Sequence, residues 1–161
     1  MQQHIGTTLI NAKPMSRQAY NELRGWTVPA DENPSDEGYL VEYIDGGQSN
    51  HPDFKGYISW SPKEQFENAY RPTTGMSFGL AIEALKKGHL VQREGWNGKG
   101  LKLALVGRGA GGFYEISFSE VSTLPYIVII YPLGAKNTPG AIVPWLASQT
   151  DMLADDWQIV E

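Results

Sequence analysis

Two tryptophans in the second half of the chain lie in segments suited to holding a ligand. Trp96 stands between glycines in the run Gly95-Trp96-Asn97-Gly98, where the backbone can turn sharply, and Arg93 lies one turn earlier. An indole face beside a guanidinium suits a nucleobase next to a phosphate, and Asn97 adds an amide. The alternative is that Trp96 closes the hydrophobic core beneath a hairpin.

The second tryptophan, Trp145, is followed by a run of small polar residues. Ser148 is placed to cap a short helix whose first turn holds Gln149, Thr150 and Asp151. Hydroxyl, amide and free backbone donors would then cluster just after the indole. This pattern predicts a polar lip for a ligand.

Catalysis is the main alternative to binding without chemistry. Asp151 and Asp155 have helical spacing and would fit a metal or acid-base pair in a nucleotide phosphodiesterase or hydrolase. Neither has a histidine or a further carboxylate at ligand spacing, and an acid in the first turn of a helix is ordinary dipole chemistry. His4, His51 and His89 lie far apart in the sequence. We therefore predict no catalytic residues, no metal and no cofactor.

Composition limits the class of protein. The 161 residues are 41% hydrophobic and carry a net charge of -5, which fits a globular chain and argues against binding of long nucleic acid. The chain has no cysteine, so it has neither disulfides nor thiolate metal sites. Residues 1–15 do not have the pattern of a signal peptide, and no apolar run reaches the length of a membrane span. These features predict a cytoplasmic protein.

The segment around Trp96 predicts a helix followed by a strand. Apolar residues recur at helical spacing over 78–85, with Ser77 at the N-cap and Gly88 as a stop, and the chain is then extended over 89–94. Alternation predicts strands over 101–106 and 114–119, which we expect to be antiparallel neighbours. The glycine-rich run 107–112 between them, with Arg108, fits a hairpin tip better than a phosphate loop, because no helix follows it.

The run Tyr126–Tyr131 has no polar position. It predicts a strand covered on both faces, by the helix on one side and by another subunit or the N-terminal module on the other. This run argues for oligomerisation.

The first part of the chain predicts a small α+β module. Strands are expected over 7–13, 39–44 and 56–60, the last two paired antiparallel, with a helix from Ser16 to a stop at Gly25. Ser61 and Glu64 form a capping box with Pro62 at the first helical position, so a second helix should reach Tyr70.

A linker over 71–75 then separates two domains, 1–75 and 76–161. Residues 1–75 carry ten acids and six bases, so most of the acidity lies in the N-terminal module. The predicted class is α+β, an antiparallel sheet with a few short helices packed on it, as an N-terminal α+β module followed by a helix-and-sheet domain.

Two motifs carry a resemblance to a known family. The runs MSFGLAIEALKKGHLVQREGWNGKG and VPWLASQTDMLADDW resemble the start and end of the bacteriophage anti-Thoeris proteins of the second type, over residues 76 to about 160. Residues 1–75, with GYLVEYIDG and GYISWSPKEQFENAY, resemble a module of other phage proteins more loosely.

The resemblance implies a homotetramer that sequesters glycocyclic ADP-ribose signals without cleaving them, in the cytoplasm of the infected host. It also implies that cyclic dinucleotides of the related CBASS defence are a second ligand class. Trp96 and Trp145 match the tryptophans of the two motifs and would stack on the ligand. Contacts to phosphates and hydroxyls are expected from Arg93, Asn97, Ser148, Gln149, Thr150 and Asp151. A third interpretation is a protein-protein adaptor with an aromatic-rich surface.

Overall fold

The computed structural model describes residues 1–96, 100–107, 117–118, 121–122 and 124–160. These residues form two compact units, Met1–Tyr70 and Arg71–Glu161. Each unit combines an antiparallel sheet with short helices, so the predicted α+β class is confirmed. The second unit begins at Arg71, and the amide of Ile159 donates to the carbonyl of Thr73 within it.

The N-terminal unit is a three-stranded sheet with two helices. Its elements are β1 (Ile10–Pro14), α1 (Arg17–Arg24), β2 (Gly38–Tyr43), β3 (Tyr57–Pro62) and α2 (Lys63–Ala69), with strand order β1-β2-β3. The predicted antiparallel pairing of β2 with β3 is confirmed. Buried Tyr20, Leu40 and Ile58 form its core, so α1 packs on the central strand and on β3.

Both ends of α1 follow the sequence prediction. The Ser16 hydroxyl accepts from the Ala19 amide at 3.2 Å, and Gly25 adopts φ 68°, a left-handed conformation that glycine reaches at little cost.

The predicted capping box before α2 is wrong. Ser61 belongs to β3, where it pairs with Tyr39, and the helix begins at Lys63 after Pro62, with no side-chain cap. Since the helix begins at Lys63, Pro62 takes the N-cap position and Ser61 lies one residue too early to cap it. The helix itself is present and ends at Ala69, with Tyr70 as its C-cap, one residue short of the predicted end.

The C-terminal unit is built on a five-stranded sheet of order β10-β4-β5-β8-β9. Its elements are α3 (Phe78–Lys86), β4 (Leu90–Arg93), a 3-10 turn (Glu94–Trp96), β5 (Lys102–Val106), β6 (Ser117–Phe118), β7 (Val121–Ser122), β8 (Tyr126–Ile130), β9 (Ile142–Pro144), α4 (Gln149–Met152) and β10 (Trp157–Val160).

Helix α3 covers one face of this sheet. Leu85 is 2% exposed and packs with Val91 of β4 and Leu103 of β5, which are fully buried. Ser77 takes the N-cap position without a side-chain hydrogen bond, and Gly88 follows the helix at φ 87°, as the sequence predicted. The next residue of β5, Ala104, points to the opposite face and is buried with Val106 and Val128.

The predicted pairing of the strands 101–106 and 114–119 rests largely on residues outside those described. Of the second strand the structure describes β6, which pairs with β7 in a separate two-stranded sheet, while β5 lies between β4 and β8 in the five-stranded sheet. The tip of the predicted glycine hairpin, with Arg108, lies outside the described residues. Strand β8 is an interior strand flanked by β5 and β9, with Val128 at 2% exposure.

The two outer edges of the five-stranded sheet differ in how their backbone groups are covered. The outer edge of β10 is bridged by Met76, which exchanges both backbone hydrogen bonds with Trp157. On β9, the amide of Trp145 points inward to the carbonyl of Ile127, so by alternation the outward positions are Ile142 and Pro144. Pro144 has no N–H to offer.

Within the described residues, no helix is both long and apolar enough to cross a membrane.

Candidate functional site

Strand ends and loops bring the predicted ligand residues to one end of the C-terminal sheet. Arg93 is the last residue of β4, and Trp96 follows it on the 3-10 turn. Trp157 begins β10 directly opposite Arg93, while Trp145 comes just after β9. Helix α4 lies at the same end of the sheet, because the Trp157 indole donates to the Asp151 carbonyl in this helix at 3.0 Å.

Four aromatic rings, which we call the aromatic cluster, meet at this end: Phe78, Trp96, Trp145 and Trp157. Trp157 is fully buried, with ring centroids 5.4 Å from Phe78, 5.5 Å from Trp96 and 6.0 Å from Trp145. Trp96 and Trp145 are partly exposed and lie 6.2 Å apart at 67°. Edge-to-face contact at this distance leaves no gap between these two rings. They form one wall of a site.

Arg93 lies beside the aromatic cluster with its charge compensated. Its Nε donates to Asp156 Oδ1 at 2.8 Å, and its Nη1 donates to Asp151 Oδ1 at 2.9 Å. Asp156 also accepts from the Gly95 amide at 3.0 Å, which fixes the turn that carries Trp96. The guanidinium therefore ties β4 to α4 and to the residue before β10 instead of standing free.

These contacts shift the ionisation of the three groups. The Arg93 hydrogen bond holds the pKa of Asp156 below its usual range, and the two carboxylates raise the pKa of Arg93. Burial alone would raise the pKa of Asp151, but hydrogen bonds from Ser148 and Arg93 outweigh it, so its pKa is lowered. One cation faces two anions, so the network carries a net negative charge at neutral pH.

The predicted cap of α4 is confirmed and is a complete capping box. The Ser148 hydroxyl accepts from the Asp151 amide, and the Asp151 carboxylate accepts from the Ser148 amide. Ser148, Gln149 and Thr150 are exposed, and the Ser148 and Thr150 hydroxyls lie 2.9 Å apart. The exposed lip thus offers hydroxyl and amide groups beside the indole wall.

The structure brings together seven of the eight predicted site residues. Asn97 lies outside the described residues. Asp155 is not paired with Asp151 as the catalytic alternative required, because α4 ends at Met152 and Asp155 lies beyond it, exposed. The core alternative for Trp96 holds in part, since its ring packs against the buried cluster while remaining partly exposed.

Two members of this arrangement were not selected from the sequence. Asp156 is 63 residues from Arg93 in the chain and reaches it through the register of β4 with β10, which no local pattern encodes. Phe78 reads as one apolar position of α3, yet its ring lies 6.1 Å from that of Trp145. Trp157, the third tryptophan of the aromatic cluster, is completely buried and is a core residue.

Among the described residues, no group of three or more His, Cys, Asp or Glu side chains is placed to hold a metal ion.

Residues 71–161 thus define an α+β domain whose sheet carries one helix and ends in a partly open aromatic wall. Residues 76–160 match the Tad2-like family, described as the Thoeris anti-defense 2-like domain. The chain belongs to this family, so the resemblance found in the sequence is confirmed. It is 42% identical over 88 residues to the protein named Thoeris anti-defense 2 of Bacillus phage SP01, covering 54% of this chain and 97% of that protein.

Proposed function

We propose that the protein acts against Thoeris defence by binding and sequestering glycocyclic ADP-ribose without cleaving it, in the cytoplasm of an infected bacterium. Membership of the Thoeris anti-defense 2-like family supports the anti-Thoeris role. The observation that carries the ligand class is the partly exposed wall of Trp96 and Trp145, held against buried Trp157. Such a wall offers π-faces to an adenine ring.

The polar lip favours ribose hydroxyls over phosphates as its partners. Arg93 is paired with two carboxylates, so a phosphate would have to displace one of them to reach it. Gln149 and Thr150 are exposed and neutral, and they can exchange hydrogen bonds with sugar hydroxyls. We therefore assign Arg93 and Asp151 to positioning the wall and the lip, and Ser148, Gln149 and Thr150 to contacting the sugar.

Tight sequestration needs a second wall. A nanomolar ligand requires about 12 kcal/mol, whereas one base stacked on an aromatic ring contributes about 1–3 kcal/mol. Trp96 and Trp145 touch each other, so one protomer cannot sandwich a base between them. We propose that a second copy supplies the opposite wall, within the predicted homotetramer. Leu146 and Leu153, which are 92% and 80% exposed beside the lip, supply apolar surface for that contact.

The two carboxylates of the catalytic alternative, Asp151 and Asp155, do not form a pair. The carboxylate of Asp151 accepts hydrogen bonds from Ser148 and Arg93. Asp155 does not share its helix. General acid-base catalysis needs a positioned group with an open path to the reacting atom.

A capture-and-release experiment tests this function. Purified protein is mixed with glycocyclic ADP-ribose, freed of unbound ligand by gel filtration and heat-denatured, and the released compound is identified by chromatography and mass spectrometry. We expect intact ligand in stoichiometric amount. A hydrolysed product in excess of protein would establish the nucleotide hydrolase instead, and no captured ligand would refute the proposal.

Matched variants locate the site. Trp145→Ala should reduce capture at least tenfold, whereas Trp26→Ala, which removes an exposed tryptophan from the N-terminal unit, should not change it. Circular dichroism serves as the control that both variants are folded. Unchanged capture by a Trp96→Ala, Trp145→Ala double variant would favour the protein-protein adaptor.

The same assay with cyclic dinucleotides tests the second ligand class. Light scattering tests the proposed homotetramer.

A further inference from the structure

The N-terminal unit contains a cavity of about 430 Å³ that the function proposed above does not use. It lies between α1 and the loop that follows this helix, and it is lined by Arg17, Asn21, Trp26, Thr27, Glu32 and Trp60. Its volume falls in the range of about 300–1,000 Å³ that small-molecule sites occupy. Because α1 and β3 belong to the ordered core of the unit, the cavity has a rigid floor.

The loop over this cavity is held in shape by its own hydrogen bonds. The Glu32 amide donates to the Pro29 carbonyl at 3.1 Å, and the Ser35 amide donates to Asn33 Oδ1 at 3.0 Å. The amide of Arg17 on α1 donates to the Asp36 carbonyl at 2.9 Å. A preformed wall lowers the entropic cost of ordering it around a ligand.

Several polar groups of the cavity wall have unused hydrogen-bonding capacity within the described part of the chain. Asn21 is 8% exposed, and its amide makes one hydrogen bond, from Nδ2 to the Arg17 carbonyl. Glu32 uses one carboxylate oxygen, which accepts from Arg17 Nη1 at 2.6 Å. Three groups can therefore bond a ligand: the side-chain oxygen Oδ1 of Asn21, the second carboxylate oxygen of Glu32 and the hydroxyl of Thr27.

The aromatic residues of the wall are Tyr20, Trp26 and Trp60, of which Trp26 is 54% exposed. The Arg24 guanidinium lies 4.5 Å from its ring, and the Arg17 guanidinium lies 4.3 Å from the ring of Trp60. Internal cations thus already occupy a cation-binding position on each indole. A cationic ligand would have to compete with them.

The charge balance disfavours an anionic ligand. Arg17 faces two carboxylates, Glu32 at 2.6 Å and Asp36 at 3.5 Å, so its charge is more than compensated. Residues 1–75 carry ten acids against six bases, and this surface repels phosphates at a distance. With cations and anions both disfavoured, the wall suits a neutral molecule that offers an apolar face to an indole and hydroxyls to carboxylate and amide groups.

We propose that this cavity binds a neutral, hydroxyl-rich ligand, a sugar ring, with Trp26 as the stacking platform and Asn21 and Glu32 as the hydroxyl-binding groups. This site is independent of the aromatic cluster in the C-terminal unit and of the ligand proposed there. It gives the N-terminal unit a recognition role of its own.

Saturation-transfer NMR on the full-length protein tests the proposal with glucose, galactose, N-acetylglucosamine and maltose as probes and AMP as an anionic aromatic comparator. We expect at least one sugar to bind wild-type protein and to bind Trp26→Ala at least tenfold more weakly. Glu32→Gln, which keeps the shape and removes one acceptor oxygen, should weaken the same sugar severalfold. Tyr57→Ala, a change at a 46% exposed aromatic residue that does not line the cavity, should leave binding unchanged.

Three results would overturn the proposal: none of the four sugars binds, AMP alone binds, or the sugar binds Trp26→Ala as well as wild type. Trp145→Ala should retain sugar binding while losing capture of glycocyclic ADP-ribose. A failure of one site is therefore distinguishable from a failure of the other.

Discussion

Asp156 provides the sharpest test of how the aromatic wall is held. Its carboxylate accepts from Arg93 Nε at 2.8 Å, from Arg93 Nη2 at 3.3 Å and from the Gly95 amide at 3.0 Å. Asp156→Asn keeps the shape of the side chain but removes its charge and one acceptor oxygen. The turn carrying Trp96 keeps the main-chain bond from the Glu94 amide to the carbonyl of residue 156 but loses the charged acceptor of the Gly95 amide. Arg93 retains the ion pair with Asp151 and its bond to the Thr150 carbonyl.

The loss of stability expected in Asp156→Asn can be worked out from these hydrogen bonds and from the exposure of the carboxylate. Hydrogen bonds to charged groups contribute about 1.5–3 kcal/mol each, but Asp156 is 29% exposed, so solvent screening reduces this contribution. We expect the free energy of unfolding to fall by about 1–2 kcal/mol. About 1 kcal/mol shifts Tm by about 4–8 °C in a domain of this size, so the loss is measurable by differential scanning calorimetry.

The stability that Asp156 contributes should decrease at low pH. The pKa of Asp156 is lowered in the folded protein, so its contribution is present above its unfolded pKa of about 3.9 and is lost as pH falls through the lower folded value. The Tm difference between wild type and Asp156→Asn should therefore be full at pH 7 and shrink below about pH 4.

The matched control is Asp155→Asn, the same substitution one residue earlier in the chain. Asp155 is exposed and lies beyond the end of α4. Surface substitutions of this kind change the free energy of unfolding by no more than about 0.5 kcal/mol, so Tm should hardly change. Equal Tm shifts in the two variants, or a difference for Asp156→Asn that persists unchanged at pH 3, would refute this account of the Arg93 network.

Two further predictions concern packing. Leu85→Ala should lower the free energy of unfolding by about 2–5 kcal/mol, because it opens a cavity under α3, while Leu133→Ala at an 86% exposed position should have little effect in chemical denaturation. Gly38→Ala should destabilise the N-terminal unit by about 1–3 kcal/mol, since a Cβ there would lie 2.4 Å from the Trp60 ring. Gly6→Ala is its control, because a Cβ at Gly6 meets nothing within 4 Å, and equal melting curves would contradict this prediction.

Local patterns in the sequence predicted those elements whose signals lie within the elements themselves. Ser16 and Gly25 bound α1, and Ser148 with Asp151 caps α4, because capping depends on residues three or four positions apart. The same logic misplaced the start of α2. Ser61 carries a capping signal, but pairing with Tyr39 across the sheet holds it in a strand. Tertiary pairing there overrides the local preference.

Long-range pairing was the part that the sequence could not provide. Strand β8 lies beside β5 although β6 and β7 come between them in the chain, and no local pattern encodes that neighbour. Asp156 escaped selection for the same reason, since its contact with Arg93 depends on the antiparallel register that sets Trp157 opposite Arg93. The proximity of Trp96 and Trp145 came instead from the resemblance to a family, and it required three separate strand ends to meet.

The edges of the C-terminal sheet affect the concentration at which the protein can remain in solution without aggregating. A binder that works by stoichiometry must accumulate to at least the concentration of its target, where open strand edges would pair and precipitate. Met76 occupies one edge of this sheet, and Pro144 removes a donor from the other. Addition of strands from other copies is thereby disfavoured at both edges of this sheet.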